Sequence, residues 1–229
     1  MTDFTEANRE YFDQMATTYK AQFACSLQMV SELTLENREW ISDQWTDIIN
    51  PNQEVRMLEY ACGPGIISMS MIKEFNNNAA ALGLSDKVTG HECDLLADTP
   101  PPDFAGPPYV DLDMVAVSMA LHHFEYPLLA LQRLGERVKQ GGTCFIIDLI
   151  PRSHHIHDHG HDHVHKNDFG EAAHTVKTHG FSEETMQKLF EDAGFNSEFR
   201  YKAIDQPLEF KKDGKSISMR IFFARAQRG

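Results

Sequence analysis

The stretch Val55-Arg-Met-Leu-Glu-Tyr-Ala-Cys-Gly-Pro-Gly65 organises the rest of the chain. Its apolar run ends at Glu59 and closes with Gly63-Pro-Gly65, a pattern that predicts a buried strand turning sharply into a helix. Glycine at 63 and 65 permits a close ligand approach that a side chain would block, and the N–H groups of the following helix point into the gap. We expect a nucleotide-like ligand at this turn, with an ordinary tight strand-to-helix turn as the alternative.

Size and charge limit the classes of partner that the chain binds. With 229 residues and no Pro, Gly or Ser tract that divides it, the chain is expected to form a single domain, 1–229, with an N-terminal helical cap over residues 1–50 and an α/β core over residues 55–229. Its net charge of -13, from 34 acidic and 21 basic residues, argues against a nucleic-acid or an anionic membrane surface. A small molecule is therefore the expected partner.

The cysteines and the apolar content bear on where the protein works. The four cysteines are scattered without a Cys-x-x-Cys pair, which suits buried thiols in a reducing compartment. The first residues lack a basic and then apolar leader, and no run approaches the roughly 20 apolar residues that a membrane span requires. We therefore expect a cytoplasmic protein without a membrane span.

Apolar spacing predicts helices that alternate with buried strands. Residues 8–23 and 27–45 are predicted as two or three amphipathic helices whose aromatic stripe forms a core face, with Tyr19 as a minor candidate for ligand contact. Beyond them we predict strands at 55–59, 87–93, 113–119 and 143–150, and helices at 66–82 and 127–139, the last ended by Gly141-Gly142. This alternation indicates a single Rossmann-like α/β sheet, mostly parallel, with helices on both faces.

The C-terminal part departs from the alternation. Ser182 is predicted to cap a helix over residues 182–193, which ends at Gly194. Strands are then predicted at 198–204 and 216–226, joined by a Lys-Lys-Asp-Gly-Lys turn at 211–215. Because a short turn joins antiparallel strands, we expect a C-terminal antiparallel hairpin at the sheet edge.

Four stretches together resemble one known family. They are Leu58-Glu-Tyr-Ala-Cys-Gly-Pro-Gly65, Asp113-Met-Val-Ala-Val-Ser-Met-Ala-Leu-His-His-Phe124, Val138-Lys-Gln-Gly-Gly142 and Gly180-Phe-Ser-Glu-Glu184. From Val55 to its C-terminus the sequence resembles the class I S-adenosylmethionine-dependent methyltransferases. The resemblance implies S-adenosyl-L-methionine as the cofactor and the transfer of a methyl group to an oxygen, nitrogen or carbon atom of a small-molecule acceptor.

The resemblance also assigns residues to the cofactor. In this family the acid of the first strand and the glycine turn hold the methionine end, which implies that role for Glu59, Ala61, Cys62, Gly63 and Gly65. An acid after a later strand holds the adenine amino group, and Asp94 with Leu95 matches that position. Ser118 and Met119 would line the sulfonium.

Two departures from the family pattern bear on cofactor binding. Ala61 stands where the family usually has its first glycine, which adds a methyl group. More seriously, the family has an acid-tipped strand roughly 20 residues past the glycines to hold the ribose, whereas residues 80–86 here read Ala-Ala-Leu-Gly-Leu-Ser-Asp. One helix and the second strand are thus expected to be missing, and we predict that S-adenosylmethionine binds about a hundredfold more weakly as a result.

Other functional classes stay open at this level. The missing strand favours a catalytically impaired methyltransferase-like binding protein, or a truncated product, that holds the cofactor weakly. A nicotinamide dehydrogenase would use Gly63-Pro-Gly65 as its fingerprint. This sequence lacks the third glycine and the ribose-binding acid of that fingerprint, so the dehydrogenase interpretation ranks last.

The histidines are the remaining candidates for chemistry. His122 or His123 is a candidate general base, because a neutral imidazole can remove a proton from a hydroxyl near pH 7, although a structural turn is the stronger interpretation. The loop at 153–165 holds seven of the twelve histidines and is expected to be exposed, binding divalent Zn, Ni or Cu only adventitiously. We therefore assign neither a catalytic residue nor a functional metal site.

Overall fold

The N-terminal region folds as helices, as its apolar spacing predicts. The structure is a computed structural model that describes residues 3–42, 55–61, 91, 93–97, 102–151, 174–212 and 215–229. Helix α1 spans Asp3–Gln22, α2 spans Ala24–Glu36 and α3 spans Arg38–Ile41. The predicted helix over residues 66–82 lies outside the described residues, as does most of the strand predicted at 87–93. His91 and Cys93 are described, and neither belongs to a strand.

Seven strands are described, five of which form the central sheet. Their bounds are Met57–Glu59 for β1, Leu112–Ser118 for β2, Val138–Leu149 for β3, Ser197–Ala203 for β4, Leu208–Lys212 for β5, Lys215–Met219 for β6 and Ile221–Gln227 for β7. The sheet has the order β1-β2-β3-β7-β4. Strands β1, β2 and β3 are parallel, and β7 runs antiparallel to both β3 and β4. The predicted Rossmann-like α/β fold is therefore confirmed.

Helices cover both faces of the sheet, and the residues of β2 alternate between the two hydrophobic cores that lie on those faces. Val115 and Val117 pack on the side of α4, Pro127–Gly135, and α5, Glu183–Asp192. Met114 and Ala116 pack on the side of α2 and α3. All four residues of β2 are buried, as a continuous apolar run in a parallel sheet predicts.

The prediction of a single C-terminal strand at 216–226 is wrong, because this segment forms two strands with different partners. Met219 of β6 pairs with Leu208 of β5, in a separate two-stranded sheet, whereas Ile221 of β7 pairs with Leu149 of β3. Arg220 separates the two strands. The antiparallel pairing expected at the sheet edge is made by β4 and β7, whereas the segment predicted as a turn links β5 to β6 in the chain.

The helix predicted at 127–139 ends early, at Gly135. Val138 already pairs with Leu112 of β2, and β3 is irregular until Thr143 pairs with Met114. A Cβ at Gly142 would lie 2.9 Å from the carbonyl oxygen of Asp113, so the close approach of the two strands requires glycine there. Gly141-Gly142 therefore lies within β3 and does not end the helix.

Strand β4 is the outermost described strand beside β7. Its pairing with β7 shifts register between Ser197 and Arg200, and Glu198 within this bulge has a left-handed φ of 51°. Most of its side chains are exposed. In the part of the chain that the structure describes, no helix is long and apolar enough to cross a membrane.

Candidate active site

The carboxyl ends of the parallel strands form one edge of the sheet, here called the carboxyl edge. Glu59 ends β1 beside Ala116, and Ser118 ends β2 beside Ile147 of β3. The N–H of Tyr60 donates to the carbonyl oxygen of Ala116 at 2.9 Å, which continues the pairing past the end of β1. Glu59 is only 9% exposed, so an acid is held at the strand tip largely away from water. Open parallel sheets bind ligands at this edge.

Asp94 lies beside the carboxyl edge, next to Tyr60. The pKa of the Tyr60 hydroxyl is raised to about 12, first by burial and then by the charge of Asp94, so the phenol is neutral near pH 7. Oδ1 of Asp94 accepts from the N–H of Leu96 at 2.9 Å, and Oδ2 lies 3.5 Å from the guanidinium of Arg9. Leu95 is buried in the core. The Asp94 carboxylate is therefore anchored by the backbone while its side chain stays 31% exposed.

Two residues at the carboxyl edge have left-handed backbone angles without being glycine. Ala61 has a φ of 52° and Met119 a φ of 53°. The N–H of Met119 donates to the carbonyl oxygen of Ile147 at 2.8 Å, which holds the angle in place. A left-handed angle costs an ordinary residue about 1–2 kcal/mol, and such angles concentrate at functional sites. Ala61 thus adopts a conformation that the glycine usual in the family would adopt without that cost.

Six of the nine residues that the resemblance assigned to the cofactor are described, and all six lie at or beside the carboxyl edge: Glu59, Ala61, Asp94, Leu95, Ser118 and Met119. Cys62, Gly63 and Gly65 lie outside the described residues. The fold therefore brings the predicted residues of three separate stretches together. Their roles in binding stay predictions.

A buried carboxylate that no sequence pattern indicated lies at the same edge. Asp148 of β3 is fully buried, and its Oδ1 accepts a hydrogen bond from Nδ1 of His122 at 2.7 Å. Its Oδ2 accepts from the backbone N–H of His122 at 3.1 Å. Asp148 thus ties the short 3-10 turn Leu121–His123 to β3, which gives His122 a structural role. Its signal in the sequence is a lone acid inside the apolar run Cys144-Phe-Ile-Ile-Asp-Leu-Ile150.

His123 is the second imidazole of this turn, and its ring lies 4.0 Å from that of His122 between centroids. Its Nδ1 donates to the carbonyl oxygen of Thr175 at 2.8 Å, because a carbonyl only accepts, and the lone pair is therefore on Nε2. The pKa of His123 is lowered to about 3, first by burial and then by His122. The ring is therefore uncharged near pH 7 and is a weak base.

Helix α1 covers the carboxyl edge. Nδ2 of Asn8 donates to the carbonyl oxygen of His123 at 3.4 Å, and the ring of Phe12 meets that of His123 edge-on at 5.0 Å. Among the α1 side chains that the structure describes, none is fully buried, so the expected core face is in fact a cover over this edge. Tyr19 packs against Phe23 at 4.8 Å, and burial raises its pKa.

Comparison with known proteins gives this architecture a class. The chain is similar to the DszA carbon methyltransferase, with 16% identity over 95% of this chain and 58% of that chain and a TM-score of 0.54. It is also similar to a SAM-dependent methyltransferase from Thermotoga maritima, with 16% identity over 95% and 98% of the two chains and a TM-score of 0.51. Magnesium protoporphyrin IX methyltransferase from Synechocystis PCC 6803 with bound SAM shares 12% identity over 99% of both chains, with a TM-score of 0.51. No curated protein matches significantly.

The fold is thus that of the S-adenosylmethionine-dependent methyltransferases. Residues 29–198 match the family described as "Methyltransferase domain", and the chain belongs to that family because the match covers more than half of it. The protein is a methyltransferase with S-adenosyl-L-methionine as its cofactor. The described residues fit this group chemically, because the carboxylates of Glu59 and Asp94 can accept hydrogen bonds from the amino groups at its two ends.

The described residues contain no group of three or more His, Cys, Asp or Glu side chains that could hold a metal ion. The histidine-rich loop at 153–165 lies outside those residues, so its adventitious metal binding stays a prediction.

Proposed function

We propose that this methyltransferase acts on a small molecule and transfers the methyl group to an oxygen, nitrogen or carbon atom. The observation that carries the proposal is the gathering of Glu59, Asp94 and Ser118 at one edge of the sheet. Glu59 and the turn that begins at Ala61 would hold the methionine end of the cofactor. Asp94 would accept from the adenine amino group, and Ser118 and Met119 would line the sulfonium.

The chain's own contribution to catalysis would be positioning. When bound, the cofactor supplies a methyl group on a sulfonium, which a correctly placed acceptor attacks directly. Holding two reactants in line removes much of the entropic barrier, so no covalent nucleophile is required. Helix α1 would help to exclude water, since it lies across the edge through Asn8 and Phe12. The neutral phenol of Tyr60 would add an uncharged wall beside Asp94.

Two observations support a small acceptor rather than a nucleic acid or a membrane. The net charge of -13 repels polyanions and anionic lipid surfaces. The edge itself is covered by α1, where a large partner would have to dock. A small molecule can enter beside a helix without displacing the whole of it.

Calorimetric titration with S-adenosylmethionine tests the proposed cofactor residues. Asp94→Asn is expected to weaken binding by roughly 10- to 100-fold, since a hydrogen bond to a charged group contributes about 1.5–3 kcal/mol. Glu136→Gln is the matched control, because Glu136 is an exposed acid beyond α4 and pairs only weakly with Arg133. No binding by the unaltered protein, or equal effects of the two substitutions, would contradict the proposal.

The same titration tests whether the ribose-holding strand is missing. An insertion of about 20 residues between Ile67 and Ser68, forming a helix and an acid-tipped strand, should strengthen cofactor binding. Micromolar binding by the unaltered chain that a well-folded insertion does not improve would show that this strand is not needed.

A further inference from the structure

We propose that the methyl acceptor binds between α1 and residues 174–178, beside the His122–His123 turn, and that it is an aromatic molecule whose hydroxyl or amino group donates a hydrogen bond. This inference rests on the proposed methyl transfer to a small molecule. Two atoms carry it, Oδ1 of Asn8 and Oγ1 of Thr178, which are buried and have no hydrogen-bond partner among the residues that the structure describes. Buried polar atoms are rarely left unpaired, and the exceptions call for an explanation.

The amide of Asn8 has a fixed orientation. Its Nδ2 donates to the carbonyl oxygen of Phe4 at 3.2 Å and to that of His123 at 3.4 Å. Because carbonyl oxygens only accept, the amide cannot be reversed, and Oδ1 must face away from both. A donor on a ligand would satisfy this oxygen.

Thr178 supplies the second atom from another segment. Its N–H donates to the carbonyl oxygen of His122 at 3.2 Å, and the N–H of Lys177 donates to the same oxygen at 3.0 Å. Asn8 and Thr178 are thus anchored to the carbonyl groups of two consecutive residues, so both lie beside the His122–His123 turn. A hydroxyl both donates and accepts, so Thr178 can also pair with a polar group of a ligand that binds beside this turn.

Rings make up the rest of this neighbourhood. Phe12 meets His123 edge-on at 5.0 Å, and Tyr11 meets His174 edge-on at 5.5 Å. Phe12 and Tyr11 are only half-buried, so part of each ring is available to a ligand. His123 adds no charge near pH 7, because burial lowers its pKa. Ring edges and faces without a charge suit an aromatic ligand, whose own ring packs edge-on or offset against them.

The position of this site relative to the cofactor residues is consistent with methyl transfer. His122 and His123 follow Ser118 and Met119 in the chain, directly after β2. Helix α1 reaches both places, since Arg9 lies 3.5 Å from Asp94 and Phe12 lies against His123. When a hydroxyl oxygen takes the methyl group, the sulfonium becomes the neutral thioether of S-adenosylhomocysteine and the hydroxyl proton passes to solvent. The methylated oxygen then has no proton to donate to Asn8, so the product would leave more readily.

Ligand-observed NMR on the full chain saturated with S-adenosylhomocysteine tests the site, with phenol, aniline and anisole as probes. Phenol and aniline donate a hydrogen bond, and they distinguish a hydroxyl from an amino acceptor; anisole has the same ring and donates none. We expect phenol or aniline to bind about fivefold more tightly than anisole, as one net hydrogen bond predicts. The difference should disappear in Asn8→Leu and shrink in Thr178→Val.

Gln14→Leu is the matched control, because Gln14 is exposed on the same helix. It should keep the full preference for the donating probes. Equal binding of all three probes to the unaltered protein, or a preference that survives both Asn8→Leu and Thr178→Val, would overturn the inference; if Asn8→Leu does not fold, Thr178→Val decides alone. Failure of S-adenosylhomocysteine to bind the unaltered protein would instead overturn the proposed function, which keeps the two failures apart.

Discussion

Helices α1 and α5 are both predicted from the sequence but serve different parts of the molecule. Ser182 caps helix α5, because its hydroxyl accepts from the N–H of Thr185 at 3.2 Å, and the helix buries Met186 and Phe190 completely. Helix α1 is twice as long, with 20 residues against 10, yet buries none of its described side chains fully. Apolar spacing therefore predicts that a helix forms, but not how deeply it is buried.

The neighbours of the two helices account for the difference. The ring of Phe190 lies 6.0 Å from those of Phe195 and Phe199, within the main core. Helix α1 meets the carboxyl edge through polar groups as well as rings, including Asn8 and Arg9. We infer that α5 stabilises the fold, whereas α1 completes the site.

Truncating one aromatic ring on each helix should separate these roles most clearly. Phe190→Ala is expected to lower the free energy of unfolding by about 3–5 kcal/mol, because it leaves a cavity in a closed core. Phe12→Ala should lower it by about 1 kcal/mol or less, because its ring is half-buried. Urea unfolding of both variants measures this, and equal losses would show that α1 is as much a part of the core as α5.

Acid should weaken the α1 side of the molecule through His123. Its pKa is about 3 in the folded protein against an ordinary 6.5, so the unfolded chain takes up the proton first as the pH falls. Stability should be greatest above pH 6.5 and decline toward pH 3, with a slope from this one group of at most about 1.4 kcal/mol per pH unit. His123→Gln should flatten the curve of unfolding free energy against pH, and parallel curves would refute this.

Removing the cap of α5 should cost less than emptying its core. Ser182→Ala is expected to lower the free energy of unfolding by about 1 kcal/mol, the usual value of a serine N-cap. Thr17→Ala, an exposed position on α1, should change it by no more than about 0.5 kcal/mol. Thermal unfolding of the two variants gives the comparison, and indistinguishable midpoints would mean that the cap contributes nothing.

Substitutions at the two left-handed positions should have the smallest effects on stability, and the two effects should have opposite signs. After α5 the left-handed position is Gly194, with a φ of 89°, whereas at the carboxyl edge it is Ala61, with a φ of 52°. Gly194→Ala should destabilise by about 1 kcal/mol, and Ala61→Gly should stabilise by about 0.5–1 kcal/mol, because only glycine adopts such angles without strain. Chemical unfolding measures both, and a loss on Ala61→Gly would mean that its backbone is unstrained.

Sequence patterns predicted the parts of the fold that depend on local chemistry. The apolar run of β2 is buried on both faces, and Ser182 caps α5, since burial and capping are decided by residues close together. Pairing between distant segments is not visible in such local patterns. Arg220 divides one apolar run because Met219 and Ile221 pair with different strands. Val138 belongs to β3 because it pairs with Leu112 of β2.

The candidate site shows the same division. The strand tips Glu59 and Ser118 follow from the order of strands in a parallel sheet, which is visible in the sequence. Asp148 and Asn8 could not be found in that way, because each matters only through a contact with the His122–His123 turn. A lone acid in an apolar strand or an asparagine on a helix occurs in many structural settings, so neither residue by itself predicts a site.

The bulge in strand β4 bears on how the protein behaves at high concentration. An outer strand that is long, flat and apolar offers its free backbone groups to other chains and promotes aggregation. Strand β4 instead carries Glu198, Arg200 and Lys202 on exposed positions, and the left-handed Glu198 bends its start out of register. A second sheet therefore cannot extend this one without burying charges and straightening the bend, so strand addition along β4 is disfavoured however crowded the solution.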